Sequence, residues 1–245
     1  MSSSDRIVRV TAPFLYKYGS AKHLEWLEPI IRQHQLYFPS PKQLNDPKEA
    51  KPPLKVSSRQ GVLSMMVNAF LTQHARDPYG QLARDVRNMK AIVNTGTLED
   101  LAEFMTPALH KPLEEHRIYS MTTRSDNDHL WNEYADHHAG YCLEFETRGG
   151  PFCFAVHVIY EEEVAIDLSD PDDLDWKFLI RKTPGWKVEE EVRILLLPRG
   201  QPHDVPFDPT LLKRIILGKN MAVRDRLTIQ EWCQTRVPVL QASDE

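Results

Sequence analysis

Segments with the aromatic and β-branched composition of strands lie at the start of the chain and again after Arg117, and a stretch of helical pattern separates them. The early segments are Phe14–Tyr18 and Leu36–Phe38, and the later ones are Ile118–Met121, Gly140–Phe145, Phe152–Tyr160, Glu191–Leu197 and Arg214–Leu217. We expect the five later segments to form the sheet. The pattern predicts an α+β fold with a central mixed or antiparallel sheet, flanking helices and a helical insertion after the second strand.

Helical periodicity marks the segments between these strands. Ala21–Gln35 carries apolar residues at helical spacing, namely Leu24, Leu27, Ile30 and Ile31. In the insertion, residues 57–116, Thr97 stands three residues before Asp100 as the N-cap of a helix. The predicted helices are Gly61–His74, Leu82–Val93, Thr97–Glu115, Asp128–His138, Leu174–Arg181 and Val223–Gln234. Residues 1–245 are predicted to form a single domain, since a mixed α/β domain reaches this length.

Charge, cysteine content and hydropathy exclude several classes of protein. A net charge of −5 argues against non-specific binding to a phosphate backbone. Cys142, Cys153 and Cys233 form no CxxC pair, which favours a reducing compartment, and we interpret all three as small buried apolar residues. The chain starts without the apolar segment of a signal peptide, and no apolar run approaches the roughly 18 residues of a membrane span. These features predict a cytoplasmic protein without a membrane partner.

Two polar segments have both a structural and a functional interpretation. Asn45, Asp46 and Pro47 end a strand and favour a turn, but the same side chains suit a binding site. Trp131, Tyr134 and His138 recur at i, i+3 and i+7, a stripe that is typical of a core-facing helix surface. The HxxxH spacing of a metal site is absent from this helix, so no metal is expected.

The segment Trp186–Arg193 concentrates charge immediately before an apolar run. In an extended conformation Glu189, Glu191 and Arg193 lie on one face of the strand. A row of this kind is often a solvated face. The apolar residues Ile194–Leu197 indicate a central strand instead, where a row of charged side chains favours a functional site. Both interpretations stay open at the level of the sequence.

Four blocks of residues occur in order between Leu15 and Gly218. They are Leu15–Tyr18 with Leu36–Pro41 and Leu44–Pro47, Asn127–Trp131 with Tyr134–Cys142, Trp186–Arg193, and Ile215–Gly218. Together they resemble the bacterial domain-of-unknown-function family 2971. Membership of a family does not define a reaction, so the function has to be argued from the polar residues inside the blocks.

The order of parts also resembles ADP-ribosyltransferase-like domains: an aromatic and basic first strand, a helix, a second strand followed by a serine, and a late strand with Glu-x-Glu. This resemblance implies an NAD-dependent transferase in which Glu191 stabilises an oxocarbenium-like ribose and Glu189 orients or deprotonates the acceptor, a protein or a nucleic acid. Phage defence or a toxin-like action is the predicted biological setting. The resemblance assigns Tyr16, Lys17 or Tyr18 of the first strand and Ser40 after the second to the ribose and phosphates of NAD. The predicted nucleotide-binding site also includes Asn45, Asp46, Trp131, Tyr134, His138 and Arg193.

Two alternatives to a transferase stay open. A metal-dependent nuclease would assemble Asp126, Asp128, Glu189 and Glu191, although their spacing does not fix a geometry. A non-catalytic module would bind a nucleotide or a protein partner in the same cleft. The sequence has no P-loop and no GxGxxG motif, so NAD, if it binds, does not lie in a Rossmann crevice.

Overall fold

The computed structural model describes residues 8–44, 53–64, 90–103 except 92, 106, 115–170 except 163, 176–196, and 201–242 except 235. The chain divides into two compact units. The first unit comprises Met1–Ser40, His116–Tyr160 and Lys182–Glu245, and the second comprises Pro41–Glu115 and Glu161–Arg181. Compactness does not show that either unit folds by itself, so the single domain stays a prediction.

The described strands and helices follow the chain in this order. The strands are β1 (Phe14–Gly19), β2 (Gln35–Tyr37), β3 (Leu54–Lys55), β4 (Arg117–Thr122), β5 (Tyr141–Glu146), β6 (Val156–His157), β7 (Ile159–Tyr160), β8 (Ile166–Asp167), β9 (Arg181–Lys182), β10 (Glu191–Leu196), β11 (Asp204–Pro206), β12 (Leu212–Leu217) and β13 (Val239–Gln241). The α-helices are α1 (Leu24–Arg32), α2 (Asp128–Glu133) and α3 (Val223–Cys233). The 3-10 turns are Ala21–His23, Pro41–Gln43, Gly150–Phe154, Trp176–Ile180, Pro184–Glu189 and Pro209–Leu211.

A seven-stranded sheet forms the centre of the first unit, with the order β13-β12-β5-β1-β4-β10-β6 among the described residues. Its neighbouring strands are antiparallel, except that β13 runs parallel to β12. β11 pairs with β2 in a separate ribbon. The α+β class, with a mixed sheet and flanking helices, is thereby confirmed.

One face of the sheet is apolar and carries α1 and α3. Side chains alternate between the two faces of a strand. Leu15, Met121, Leu143, Val192, Ile194 and Ile215 therefore share a face, and they belong to one buried cluster with Leu27, Ile30 and Ile31 of α1 and Ile229 of α3. The helical spacing in Ala21–Gln35 predicted this buried stripe correctly. Each large aliphatic side chain that is buried here contributes about 1.5–3 kcal/mol.

The opposite face carries α2 at one end. The side chain of Asn127 caps α2 by accepting a hydrogen bond from the amide of Leu130 at 3.3 Å. Leu130 and Trp131 of α2 pack with Ala135 against Tyr18 and Cys142 of the sheet.

The helix predicted over Asp128–His138 is too long, because α2 ends at Glu133. Asp136, His137 and His138 are left-handed, with φ of 56°, 52° and 63°. This turn leads the chain back into β5, and Asn220 fixes it with two donors, its side-chain amide to the carbonyl of His137 at 2.8 Å and its backbone amide to that of His138 at 2.9 Å. The helical spacing of apolar residues does not reveal a turn that tertiary hydrogen bonds hold in place.

Two other predicted elements are only partly correct. In the predicted strand Phe152–Tyr160, only β6 and β7 are extended, because Gly150 with φ of 56° and Pro151 start a 3-10 turn before them. Of the predicted helix Leu174–Arg181, the described part is the 3-10 turn Trp176–Ile180, which β9 follows. Cys142 and Cys233 are buried as predicted, whereas Cys153 is exposed.

In the second unit, β3 and β8 pair in parallel, with Leu54 opposite Ile166. Residues 59–64, 90–91, 93–95 and 98–103 are helical within the predicted insertion, and residues 65–89, 92, 104–105 and 107–114 lie outside the described part. The predicted N-cap is confirmed. The Thr97 hydroxyl accepts from the amide of Asp100 at 3.0 Å, and the Asp100 carboxylate accepts from the amide of Thr97 at 2.7 Å. Within the described residues, no helix combines the length and the apolar character that a membrane crossing requires.

Candidate functional site

A row of five polar side chains crosses the face of the sheet on which α2 packs. Strand register places Arg214 opposite Glu144, Glu144 opposite Tyr16, Tyr16 opposite Thr122, and Thr122 opposite Glu191. Since directly paired residues point to the same face, these five side chains from β12, β5, β1, β4 and β10 form one line, which we call the polar row. Glu144, Thr122 and Glu191 are each no more than 5% exposed. One face of the sheet is thus apolar, whereas the face on which α2 packs carries buried carboxylates in its middle.

At one end of the polar row, Arg214 holds Glu144. The Arg214 guanidinium donates from Nε to Glu144 Oε1 at 2.8 Å, and Nη2 donates to Oε2. Such a two-bond arrangement fixes the orientation of the carboxylate as well as its charge. Burial and the neighbouring Glu144 raise the pKa of Tyr16, so this hydroxyl stays protonated. Tyr16 is half-buried and is the central member of the row.

At the other end lies a cluster of buried charges, Lys182, Glu189, Glu191 and Arg193, which we call the charge cluster. The Lys182 ammonium donates to Glu189 Oε2 at 2.8 Å and to Glu191 Oε2 at 3.0 Å. Arg193 donates from Nε to Glu191 Oε1 at 2.7 Å and from Nη2 to Oε2 at 3.0 Å. Tyr134 donates to Glu189 Oε1 at 2.5 Å. All four oxygens of the two carboxylates therefore have donors.

The charge cluster keeps Glu191 ionised. Burial alone would raise the pKa of Glu191, but Arg193 and then Lys182 outweigh it and hold the pKa at about 2. The hydroxyl of Ser120, which is opposite Arg193 on β4, acts in the same direction. Glu191 is therefore negatively charged over the whole physiological range of pH.

Glu189 reaches the cluster by a different route from the one predicted. It was expected on the same strand face as Glu191 and Arg193, but it ends the 3-10 turn Pro184–Glu189, and β10 begins only at Glu191. Between them Glu190 is left-handed, with φ of 46°, and its side chain is exposed. The two glutamates meet because Lys182 binds both of them, so the predicted extended segment before Glu191 is wrong while the predicted proximity is right.

Lys17 lies on the apolar face, near the point where the pairing of β1 and β4 ends. The register places a single pair, Tyr16 with Thr122, between these two strands. The Lys17 ammonium donates to the carbonyl of Ser120 at 2.9 Å and lies 5.0 Å from the centre of the Tyr119 ring. Burial lowers the pKa of Lys17, and the fields of Glu191 and Glu189 oppose this shift. Lys17 thus acts on the charge cluster electrostatically, from the other side of the sheet.

Three of the aromatic side chains that were predicted to bind a nucleotide form a stack beside the polar row. The rings of Tyr18 and Trp131 meet edge to face at 5.1 Å, and His138 stacks on Trp131 at 5.3 Å. The Tyr18 hydroxyl donates to the carbonyl of Arg124 at 3.1 Å and accepts from the amide of Asn127 at 3.3 Å. Tyr18 and Trp131 are buried, so the stack supports α2 on the sheet as well as bordering the site.

The remaining predicted residues follow β2 in the chain. Ser40 is half-buried in the segment after that strand. Asn45 and Asp46 lie outside the described residues, so their turn or site role stays a prediction.

Three charged residues of the site were missed from the sequence: Lys182, Glu144 and Arg214. For the last two a signal was present, since each is a charged residue inside an otherwise apolar strand segment, Tyr141–Glu146 or Leu212–Leu217. Such a residue is buried only if it is paired. For Lys182 there was no signal, because it directly follows Leu174–Arg181, a segment whose pattern predicted a helix.

The described residues contain no group of three side chains suited to hold a metal ion. Of the carboxylates that a nuclease would need, Asp126 is bound by Arg124 through two hydrogen bonds, at 2.9 and 3.1 Å. Glu189 and Glu191 already share the Lys182 ammonium. A metal at these carboxylates would have to displace that ammonium.

A comparison of the chain with known protein families, with curated proteins and with solved structures finds no match. The resemblances to family 2971 and to ADP-ribosyltransferase-like domains stay predictions.

The lowered pKa of Glu191 makes stability depend on pH. A carboxyl group whose pKa is lower in the folded than in the unfolded protein stabilises the fold above its unfolded value, and this contribution is lost as the pH falls through the folded value. For Glu191 the window runs from 4.5 down to about 2. We expect the difference in free energy of unfolding between the wild type and Glu191→Gln to shrink by about 3 kcal/mol between pH 5 and pH 2.

Urea denaturation at a series of pH values measures this difference. Glu190→Gln removes a carboxylate one position away on the exposed side and controls for the loss of one negative charge. A difference between wild type and Glu191→Gln that does not change from pH 5 to pH 2 would contradict the charge assignment.

Proposed function

We propose that the polar row and the aromatic stack form a nucleotide-binding site, and that the protein uses NAD there as the donor in an ADP-ribosyl transfer. The observation that carries the proposal is the polar row. Five strands each contribute a polar side chain to one line, and two members of that line are buried carboxylates. Burying carboxylates is costly even when they are paired, and apolar residues would pack this face at lower cost. A functional constraint on the face accounts for them.

The chemistry of the transfer fits the charge on Glu191. Breaking the nicotinamide–ribose bond develops positive charge on the ribose, and a fixed carboxylate stabilises that charge. Glu191 supplies a carboxylate that is ionised at every physiological pH. Because Arg193 and Lys182 hold both of its oxygens, one of these contacts has to lengthen as the ribose approaches. Glu189 lies on the other side of Lys182, and in the proposal it orients the acceptor.

The side chains around the two glutamates suit binding rather than bond breaking. Tyr16 presents a protonated hydroxyl at the centre of the polar row. His138 lies at the edge of the aromatic stack, with 18% of its side chain exposed, and offers a ring face to a base or to nicotinamide. In the proposal these groups position the nucleotide, and the acceptor is a protein or a nucleic acid.

A second candidate is a module that binds a nucleotide or a protein partner without catalysis. The observation in its favour is that every oxygen of Glu189 and Glu191 already has a donor. Carboxylates held in this way shape and charge a surface without needing to react. Such a module needs the polar row for recognition but no turnover.

We expect the wild-type protein to release nicotinamide from NAD in the presence of cell lysate, and Glu191→Gln to reduce the release at least about 100-fold, since it removes the carboxylate that stabilises the transition state. Glu190→Gln is the matched control and keeps the activity. Nicotinamide release and NAD binding are measured on the same samples, with circular dichroism as a check of folding.

A gentler variant covers the case in which Glu191→Gln folds poorly. Tyr16→Phe removes only a hydroxyl from the polar row, and we expect it to weaken NAD binding. If the wild type binds NAD but releases no nicotinamide, the result favours the non-catalytic module. If the wild type shows no binding and no release, the proposal that NAD is the ligand is refuted.

A further inference from the structure

Among the residues that the structure describes, Lys182 is the one that contacts both glutamates of the charge cluster. Its ammonium lies 2.8 Å from Glu189 Oε2 and 3.0 Å from Glu191 Oε2, and the side chain is 3% exposed. We propose that Lys182 is the positioning residue of this site, which keeps the two carboxylates ionised and holds them side by side. A positioning role rests on the proposed function, but the effect of Lys182 on the charge of the pair can be measured without any reaction.

The path of the chain explains how one lysine reaches both groups. Lys182 lies seven residues before Glu189 and nine before Glu191. The 3-10 turn Pro184–Glu189 brings the chain back, and the left-handed Glu190 then directs it into β10. Within the turn, the ring of Trp186 lies 4.4 Å from the ammonium and covers it. The segment from Lys182 to Glu191 therefore folds back onto Lys182. The distance between the carboxylates of Glu189 and Glu191 depends on that residue.

Two carboxylates that share one site cannot both stay ionised without a cation between them. The other groups that face the pair show which of the two would take up a proton if Lys182 were neutral. Arg193 binds both oxygens of Glu191 and keeps it charged. Among the described residues, the other donor to Glu189 is the neutral hydroxyl of Tyr134. We therefore expect Glu189, rather than Glu191, to be the carboxyl group that responds when the charge on Lys182 is removed.

The remaining groups around the cluster do not replace Lys182. Tyr160 accepts a hydrogen bond from the backbone amide of Glu191 at 2.9 Å, and Ser120 approaches the side chain of Glu191 as a neutral hydroxyl. Lys17 donates to the carbonyl of Ser120 rather than to either carboxylate. Lys182 is thus the cation in contact with Glu189.

Titration of the carboxyl groups tests the proposal. The full chain is labelled with carboxyl-¹³C glutamate and followed by ¹³C NMR and infrared spectroscopy from pH 4 to pH 9. In Lys182→Met we expect a carboxyl group whose protonation midpoint lies about 1–3 pH units above that in the wild type. The new signal should disappear in Lys182→Met combined with Glu189→Gln, which assigns it to Glu189.

Two further variants separate charge from packing. Lys182→Gln keeps hydrogen-bond donors without the charge and serves if Lys182→Met folds poorly; it should show the same new protonation. Lys182→Arg keeps the charge and should restore the titration of the wild type. If neither neutral variant gains a protonated carboxyl group, Lys182 only fills space and the proposal is wrong.

The outcome of the titration test can be distinguished from the outcome of the test for the proposed function. Nicotinamide release is measured on the same variants. If the wild type neither binds nor cleaves NAD while the titrations follow the expectation, the transferase fails and the charge role of Lys182 stands. If NAD is cleaved and the neutral variants show no new protonation, the transferase stands and the positioning role fails.

Discussion

Replacement of Lys182 by methionine is expected to lower the free energy of unfolding by about 3–5 kcal/mol, because it breaks a buried ion pair by removing one partner. Methionine fills a similar volume, so little of the loss comes from packing. The loss arises because Glu189 and Glu191, which are 4% and 5% exposed, lose the ammonium they share. Urea denaturation followed by circular dichroism measures the change.

Lys187→Met is the matched control for this variant. Lys187 is exposed and lies in the 3-10 turn Pro184–Glu189 that follows Lys182, so the same change of side chain there should alter the free energy of unfolding by no more than about 0.5 kcal/mol. Equal stabilities for the two variants would mean that the pairing of Lys182 adds nothing to the fold. Comparison at pH 7 and pH 5 adds information, since protonation of one carboxyl group would relieve part of the loss in Lys182→Met at the lower pH.

The sheet and its apolar face could be predicted from the sequence, because both depend on local patterns. The strands β1, β4, β5 and β12 were predicted to within two residues at each end. In α1 the buried residues Leu27, Ile30 and Ile31 follow the helical period. The burial of such a side chain against the sheet can be recognised from the pattern of its own segment, without knowing which strand it contacts.

The polar row could not be predicted in the same way, because it exists only through register. Alternation along each strand indicates which residues share a face, but not which residue of the next strand lies opposite. Glu144 and Arg214 are 70 positions apart and meet because β5 and β12 pair. A shift of one residue in that pairing would send one of the two side chains to the apolar face.

The charge cluster was only partly predictable for a related reason. Glu191 and Arg193 are two positions apart in one strand, so alternation is sufficient to bring them together. Lys182 is connected to Glu189 by the 3-10 turn Pro184–Glu189, and the left-handed residue that follows this turn, Glu190, is a glutamate rather than a glycine. No local pattern signals that conformation. The same is true of the three left-handed residues that follow α2.

Replacement of Gly218 by alanine is the second change for which we expect a large effect, a loss of about 3 kcal/mol in the free energy of unfolding. A Cβ atom at this position would lie 2.1 Å from the carbonyl oxygen of His138 and 3.0 Å from that of Gly140. Both are backbone atoms and cannot rotate away. The contact is close because the amide of Gly218 donates to the carbonyl of Gly140 at 2.8 Å. The end of β12 and the turn that follows α2 would have to separate.

Separation of β12 from the turn that follows α2 would also disturb the candidate site. This effect distinguishes Gly218→Ala from a variant that only loses packing. The turn at His138 connects α2 to β5, and the hydroxyl of Tyr134, within that connection, binds Glu189. Gly185→Ala provides the control, because a Cβ atom there meets nothing within 4 Å. It should leave stability unchanged or raise it by up to about 1 kcal/mol through the unfolded state. If Gly218→Ala proves as stable as Gly185→Ala, the close approach of β12 to this turn is not what holds α2 on the polar face.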